Sequence, residues 1–458
     1  MSSFSAGLTT MTAIIDIAAQ TGRNLSARLA GAGLLAAAAV GIGACGSTHT
    51  ALSGPAVSGN TLTIYSSLPL QGATSGQAEG IVNGAKLALQ DAGSRIGNYT
   101  IKYMSLDDSS AATGATSNAV VARNAGRAVG DATAIAYIGE FNSGATEVSL
   151  PILNRAGIAQ ISPSNTYVGL TTNNPGSLPG EPEKFYPTGK RTFARIVPAD
   201  DVQGAALAIA AKQADCKNVE IWNSGTPYSA GLARNLELAA GKTVATLPGP
   251  VGQRAPAPAH ALHIAANVRV SPTASSYAAQ ARGITASCFV FTGELESGAA
   301  QIYKDVAAAH PAITMFGGDA TVANAIASPT TGLPASIAGQ WQGTFPTLAP
   351  TTLGAGGKKF VEEYDHAYNT TNPDPYAIYG YEAMALALST IKSVADAHNG
   401  QVSRADVVNA LLHTQNRHSV IGTYSINANG DTTLAAYGLY RISSGRLAFG
   451  KALDTRKL

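Results

Sequence analysis

Charge is scarce in this chain. Only 13% of its 458 residues are Asp, Glu, Lys or Arg, and 30 basic against 28 acidic side chains leave a formal charge of +2. No block of like charge occurs, so nothing would draw in nucleic acid, and that partner class is set aside. Catalytic signatures are missing too: there is no G-x-x-x-x-G-K-[ST] loop, no G-x-S-x-G elbow and no H-E-x-x-H helix. Aromatic residues make up 6% of the chain and cysteines number three. Abundant instead are 49 glycines, alanine, and a hydrophobic fraction of 45%. These describe a core-forming globular protein of two or three domains.

The longest uncharged apolar stretch near the start, Leu29 to Ala44 behind Arg23 and Arg28, has about 16 residues, short of the ~20 a membrane helix needs. It ends in Ile42-Gly43-Ala44-Cys45. Small residues before a cysteine after a short apolar run look like a lipobox, which makes residues 1–45 a signal peptide and Cys45 the lipidated first residue. The stretch before it is long for such a leader, so the start could be Met1 or Met11. Residues 46–60, small, polar and turn-forming, read as a flexible tether to an exported domain held at the outer face of the cell membrane. In that oxidising setting Cys216 and Cys288 remain as an even pair. Each precedes a probable strand, 218–222 and 289–293; they could be bonded or remain two buried thiols.

From Thr61 strands and helices alternate: strand 61–70, helix 76–93, strand 99–108, a helix to about Arg127, strand 133–143, helix 144–157 and strand 158–164. Such alternation implies parallel strands joined by right-handed crossovers. Segment 172–190, dense in Pro and Gly, reads as a surface excursion. The pattern then restarts with helix 202–214, strand 218–222, a helix from Tyr228, strand 243–250, a helix near 274–283, strand 288–293, helix 298–309 and strand 313–319. Segment 253–273, with His260 and His263, reads as an irregular insertion. Toward the end come helices at 381–397 and 404–414 and a hairpin-like 422–445 with Asn429-Gly430 at its turn. Two α/β units of similar size predict two lobes with parallel sheets.

No chemistry of catalysis emerges. His260-x-x-His263 lacks a third ligand and reads as a solvated loop, and Asp107-Asp108 reads as a strand-end turn. No metal and no cofactor are expected. What is present is a binding arrangement. In open α/β sheets, ligands lie beyond the carboxyl ends of the strands, where helix N-termini can bond an anion. Ser143 follows the third strand, and Ser164 and Thr166 follow the fourth; they could converge on one carboxylate. In the second unit Asp319 ends a strand and could meet an ammonium, and Tyr228 opens a helix and could close over an apolar body.

These segments, in this order, resemble the type I periplasmic binding proteins of the leucine/isoleucine/valine-binding family, the capture subunits of ABC importers. The resemblance covers about residues 61–450. It rests on "SLPLQGATSGQAEGIVNGAKLAL", "SLDDSSAATGA", "IGEFNSGATEVSLPILNRAGIAQISPSNT", "TFARIVPADDVQGAALA" and "NANGD". It implies that Ser143, Ser164 and Thr166 hold the α-carboxylate of an amino acid, Asp319 the ammonium, and Tyr228 one wall; Asn142 is taken with them. The family's aromatic of the first loop falls at Gln77 and its side-chain pocket at Glu294. Both departures are polar and favour a polar amino acid, an amide or another small zwitterion over a branched aliphatic ligand. The resemblance further implies a three-crossing hinge, lobe one at 61–194 with 344–435 and lobe two at 195–343 with 436–450. A monomer that hands its ligand to ABC permease subunits is expected. The alternatives are a ligand-sensing receptor domain signalling to a membrane partner, or an enzyme, which the missing nucleophile and metal set disfavour.

Overall fold

A computed structural model describes residues 51–241, 262–349 and 352–455. Cys45, the leader, the strand expected at 243–250 and His260 lie outside the described residues.

The first sheet has six strands in the order β2-β3-β1-β4-β5-β6. They are β1 Thr61–Leu68, β2 Arg95–Ile96, β3 Tyr99–Asp107, β4 Ala134–Ile138, β5 Ala159–Ser162 and β6 Phe193–Arg195. All pairs are parallel except β2 with β3. Seven of the eight residues of β1 are buried, as a central strand covered on both faces requires. The crossovers are α1 Ser75–Asp91, α2 Asn118–Gly130 and α3 Ser143–Arg155.

After β6 the chain crosses to the second unit. This holds α4 Asp200–Gln213, β7 Asn218–Asn223, α5 Pro227–Ala239, β8 His263–Arg269, α6 Ala278–Ala281, β9 Cys288–Phe291, α7 Ala299–Ala309, β10 Thr314–Gly317, α8 Asn324–Ala327, α9 Ala335–Ala338 and β11 Trp341–Phe345. It then returns to the first unit for α10 Gly354–Tyr368, α11 Ala377–Ala397, α12 Arg404–Leu412, β12 Arg417–Ser419 and β13 Gly422–Tyr424. A last crossing adds β14 Ala436–Ser443 and β15 Arg446–Asp454 to the second sheet, ordered β15-β14-β11-β10-β9-β7-β8. The Tyr437 hydroxyl donates to Pro198 O at 3.3 Å and so ties this last crossing to the first.

On the first lobe α1 lies against α11 almost backbone to backbone. A Cβ at Gly84 would stand 2.1 Å from Ala377 O, and one at Gly380 would stand 2.1 Å from Ile81 O. Only glycine permits that approach. The Asn427–Asp431 turn packs equally closely: Gly430 has φ +94°, its carbonyl accepts from Arg195 N at 2.8 Å, and a Cβ there would meet Phe193 O.

Several expectations need correction. Residues 263–269, assigned to an irregular insertion, form β8, parallel to β7. An edge strand buries only one face, so His263, Ala265, Asn267 and Arg269 need not be apolar, and the segment lacks a hydrophobic signature. His263 is therefore a strand residue. The helix near 274–283 shortens to Ala278–Ala281. Segment 172–190 is more than a surface excursion: Phe185 and Tyr186 pack with Leu150, Tyr167, Leu170 and Phe193. Within it Glu181 is buried and accepts from the Tyr167 hydroxyl at 2.6 Å. Helix α10 is an addition. The 422–445 stretch is not one hairpin, because β14 leaves for the second sheet and pairs antiparallel with β11 and β15. Finally, the tether reading does not hold for residues 53–57: Ser53 N donates to Asp406 Oδ2 at 3.0 Å and Val57 N to Val402 O at 2.8 Å.

Cys216 and Cys288 form a disulfide with a Cα–Cα distance of 5.7 Å. They stand at the amino ends of the neighbouring strands β7 and β9, where Val219 pairs with Cys288.

Candidate functional site

The loops beyond β4 and β5 are lashed to one another. Ser162 Oγ donates to Glu140 O at 3.1 Å and accepts from Asn165 N at 2.9 Å. Asn165 Nδ2 donates to Phe141 O at 2.8 Å, and Thr146 Oγ1 donates to Asn165 Oδ1. Two of the residues expected to bind ligand take part in this lashing. Ser164 Oγ donates to Phe141 O at 2.9 Å, and Ser143 Oγ accepts from Tyr167 N at 3.4 Å. Thr166 differs: its hydroxyl is fully buried and faces the Asp200 carboxyl. Arg195, wholly buried, supports the same loops through Asn165 O at 3.1 Å, Tyr167 O at 2.9 Å, and Asp431 at 2.8 Å.

The second lobe brings Tyr228 and Asp319 together. Thr226 caps α5 by accepting from Ser229 N at 3.1 Å, Pro227 opens the helix, and Tyr228 follows. Its hydroxyl donates to Asp319 Oδ1 at 2.7 Å, and Asp319 itself lies just past β10. From the first lobe, the Tyr376 hydroxyl donates to Asp319 Oδ2. The Tyr376 ring stands edge-on to Phe141 at 5.3 Å and to Phe345 at 4.7 Å. Burial raises the Asp319 pKa, and the two phenols partly offset this. Glu294, in contrast, bonds within its own lobe, to Ser224 Oγ at 3.0 Å, Thr226 Oγ1 at 2.5 Å and Ser297 Oγ at 2.9 Å.

The lobes meet across the cleft. Glu296 accepts from Asn142 Nδ2 at 2.8 Å and from Thr116 N at 3.4 Å. Beside this contact a cavity of about 570 Å³ is lined by residues of both lobes, among them Asn142, Glu147, Thr226, Glu294 and Glu296. Burial pushes Glu147 up to about 7, and burial with the neighbouring Glu294 charge pushes Glu296 to about 7. Outside that lining, the buried polar groups include the Gln77 amide, Gln203, and Asp200, which faces the Thr166 hydroxyl. Asp200, which sequence reasoning treated only as part of a crossover, adjoins Thr166: its N–H donates to Thr166 O at 2.8 Å. Burial holds its carboxyl well above the usual range. Tyr376 and Glu296 were likewise missed, since each acts through a partner far away in the chain.

Asp107 and Asp108 diverge. Asp107 accepts from Leu70 N at 3.0 Å, Ser109 N at 2.8 Å and Gln71 Nε2 at 2.5 Å, and these bonds outweigh its burial to lower its pKa. Asp108 is buried facing Glu140, which accepts from the Tyr137 hydroxyl at 2.8 Å. Burial raises both carboxyls, and the charge of Glu140 raises Asp108 further. The folded state thus holds protons that the unfolded chain releases near pH 4, so this pair's contribution to stability is full below that pH and falls as pH rises toward about 9. The expected result is a melting temperature that declines from pH 5 to pH 9 and declines less in Asp108→Asn. Parallel profiles for the two proteins would contradict the assignment.

Among the described residues no group of three or more His, Cys, Asp or Glu side chains is placed to hold a metal, and no helix is long and apolar enough to cross a membrane.

Two α/β lobes joined by three crossings, with loops from both converging on a closed cleft, define the type I periplasmic binding fold. The family model for periplasmic binding proteins matches residues 61–446, and the chain belongs to that family. Its fold is similar to the leucine-binding protein LivK of Thermotoga maritima, with TM-score 0.69 and 20% identity over 87% of this chain and all of that one. It is similar also to the branched-chain amino acid binding protein LivJ of Streptococcus pneumoniae, solved with isoleucine, with TM-score 0.67 and 18% identity over 86% and 98% of the chains. A solute-binding protein of R. palustris solved with benzoate gives TM-score 0.65 and 18% identity over 86% and 96%. At such identities the likeness shows the fold alone. No curated protein sequence matches the chain.

Proposed function

We propose that this protein is a lipid-anchored capture subunit that closes its lobes on a small zwitterion and presents the closed form to an ABC importer. The observation that carries this reading is Asp319. A carboxylate from the second lobe is buried at the lobe junction between Tyr228 of its own lobe and Tyr376 of the other, with no cation among its hydrogen-bond partners. A ligand ammonium entering there supplies the missing positive charge. The Thr166 hydroxyl, held at the lobe junction, offers a donor to the ligand carboxylate. Burial raises the pKa of Asp200 beside Thr166, which weakens its repulsion of that carboxylate. Ser143 and Ser164 serve chiefly by holding these loops, Asn142 joins the lobes, and Tyr228 positions Asp319. Anchoring through Cys45 rests on the lipobox sequence, and the structural neighbours solved with isoleucine and benzoate fit a carboxylate-bearing ligand.

A thermal-shift screen of residues 46–458 against amino acids, amides and small carboxylates tests the reading. A ligand at 100 times its dissociation constant stabilises the folded state by about 2.7 kcal/mol, and the expected hits are zwitterions. Hits confined to carboxylates without an amine would keep the first-lobe donors and remove Asp319 from its role.

A further inference from the structure

At the mouth of the cleft a carboxylate of the second lobe takes its hydrogen bonds from the first. Glu296 sits in the single helical turn Leu295–Ser297 that follows β9. Its Oε1 accepts from Asn142 Nδ2 at 2.8 Å and its Oε2 from Thr116 N at 3.4 Å. The Thr116 hydroxyl donates to Asn142 Oδ1 at 3.3 Å, which turns the amide so that its Nδ2 points at Glu296. Both donors leave when the lobes part, and Glu296 then returns to water.

The compartment that these bonds close is short of positive charge. Glu294 stands two positions away on the same lobe, Asp108 adds its charge from across the cleft, and Glu147 lines the same cavity. Beyond Asp108, Glu140 is held by the Tyr137 hydroxyl, and Asp107 is turned into Leu70 N and Ser109 N. The turn Gly72–Thr74, which packs on Leu295–Ser297 from the first lobe, has no titratable group. Lys184 is the cation of the cavity lining, and its Nζ is 2.9 Å from Glu181. Closing the cleft thus moves an anionic Glu296 out of water toward other carboxyls and gives it two neutral N–H donors in return. Such donors do not replace the lost hydration of a charge. A proton removes the conflict, because a neutral carboxyl keeps the acceptor that Asn142 needs.

We propose that closing the cleft draws a proton from solvent onto Glu296, so that the closed form is favoured as the medium acidifies. The link to ligand capture rests on the reading above, but the closing equilibrium itself can be followed without a ligand. Burial and the Glu294 charge hold the Glu296 carboxyl at about 7 in the closed form, against an ordinary value of 4.5. The raised value belongs to the closed form. Its advantage is therefore complete below about pH 4.5 and is lost as pH rises through about 7.

Small-angle X-ray scattering of unliganded residues 46–458 between pH 5.5 and pH 8.5 tests the proposal on three proteins. In wild type the radius of gyration should grow with pH, as the closing constant falls by at least about tenfold. Glu296→Gln still offers an oxygen to Asn142 but takes up no proton, and it should stay compact across the range. Glu296→Ala removes the acceptor and should be expanded at both ends. A wild-type radius that does not change with pH would overturn the proposal, as would equal growth in wild type and Glu296→Gln, or a compact Glu296→Ala. Each of these leaves the capture reading standing, because the thermal-shift screen tests that reading separately at one pH.

Discussion

Replacing Asp319 with alanine is expected to weaken zwitterion binding at least tenfold, and the size follows from what the carboxylate touches. It is buried to 1% exposure and accepts from one phenol of each lobe. Removing one partner of a buried, hydrogen-bonded charge pair typically costs about 3–5 kcal/mol, while tenfold in affinity needs only about 1.4 kcal/mol. The substitution also strands the Tyr228 and Tyr376 hydroxyls and cuts a bond that exists only while the lobes are together, so closure itself becomes less favourable. Tyr376→Phe separates the two effects. It removes the bond between the lobes but leaves the charge, and its loss should be the smaller. Calorimetry with the best ligand from the screen checks both. Affinity near that of wild type in Asp319→Ala would end the ammonium assignment.

The second large effect concerns stability and should leave binding alone. The Cys216–Cys288 bond closes a loop with a sequence separation of 72. Loop-closure entropy assigns such a cross-link about 4.4 kcal/mol, at the upper end of the stabilisation disulfides give. Both cysteines stand at the amino ends of β7 and β9, whereas Tyr228 and Glu294 follow the carboxyl ends of those strands. The double variant Cys216→Ser/Cys288→Ser should therefore unfold at lower denaturant concentration by that free energy while keeping the ligand affinity of wild type. A change in affinity with little change in unfolding would show that the bond tunes the cleft instead of the second-lobe fold.

How much of this could be read in the sequence varied with how local the signal is. Strand β4, Ala-Ile-Ala-Tyr-Ile, is buried on both faces and announces itself as an apolar run between turn residues. Edge strand β8 buries one face only, and its His, Asn and Arg conceal it. Helix α10 carries few buried positions, Gly357, Phe360 and Tyr364, too narrow a stripe for periodicity to stand out. At the site, Ser143, Ser164, Thr166, Tyr228 and Asp319 could be placed because each ends or opens an element at a sheet edge. Their partners could not. Tyr376 reaches Asp319 across 57 positions of chain, and Glu296 reaches Asn142 across 154. Nor does a sequence distinguish a serine that ties two loops from a threonine that faces a buried carboxyl beside it.

The glycine contact between α1 and α11 gives the first lobe a fixed gauge. Gly84 and Gly380 let two backbones touch with nothing compressible between them, and these helices begin beside Gln77 and Tyr376. The distance between those two side chains is thus set from behind, by atoms no ligand meets. A single methyl group added at either glycine would wedge the helices and respace the mouth. Ligand preference in this scaffold can therefore drift through the rear of a lobe, with every residue of the cleft unchanged.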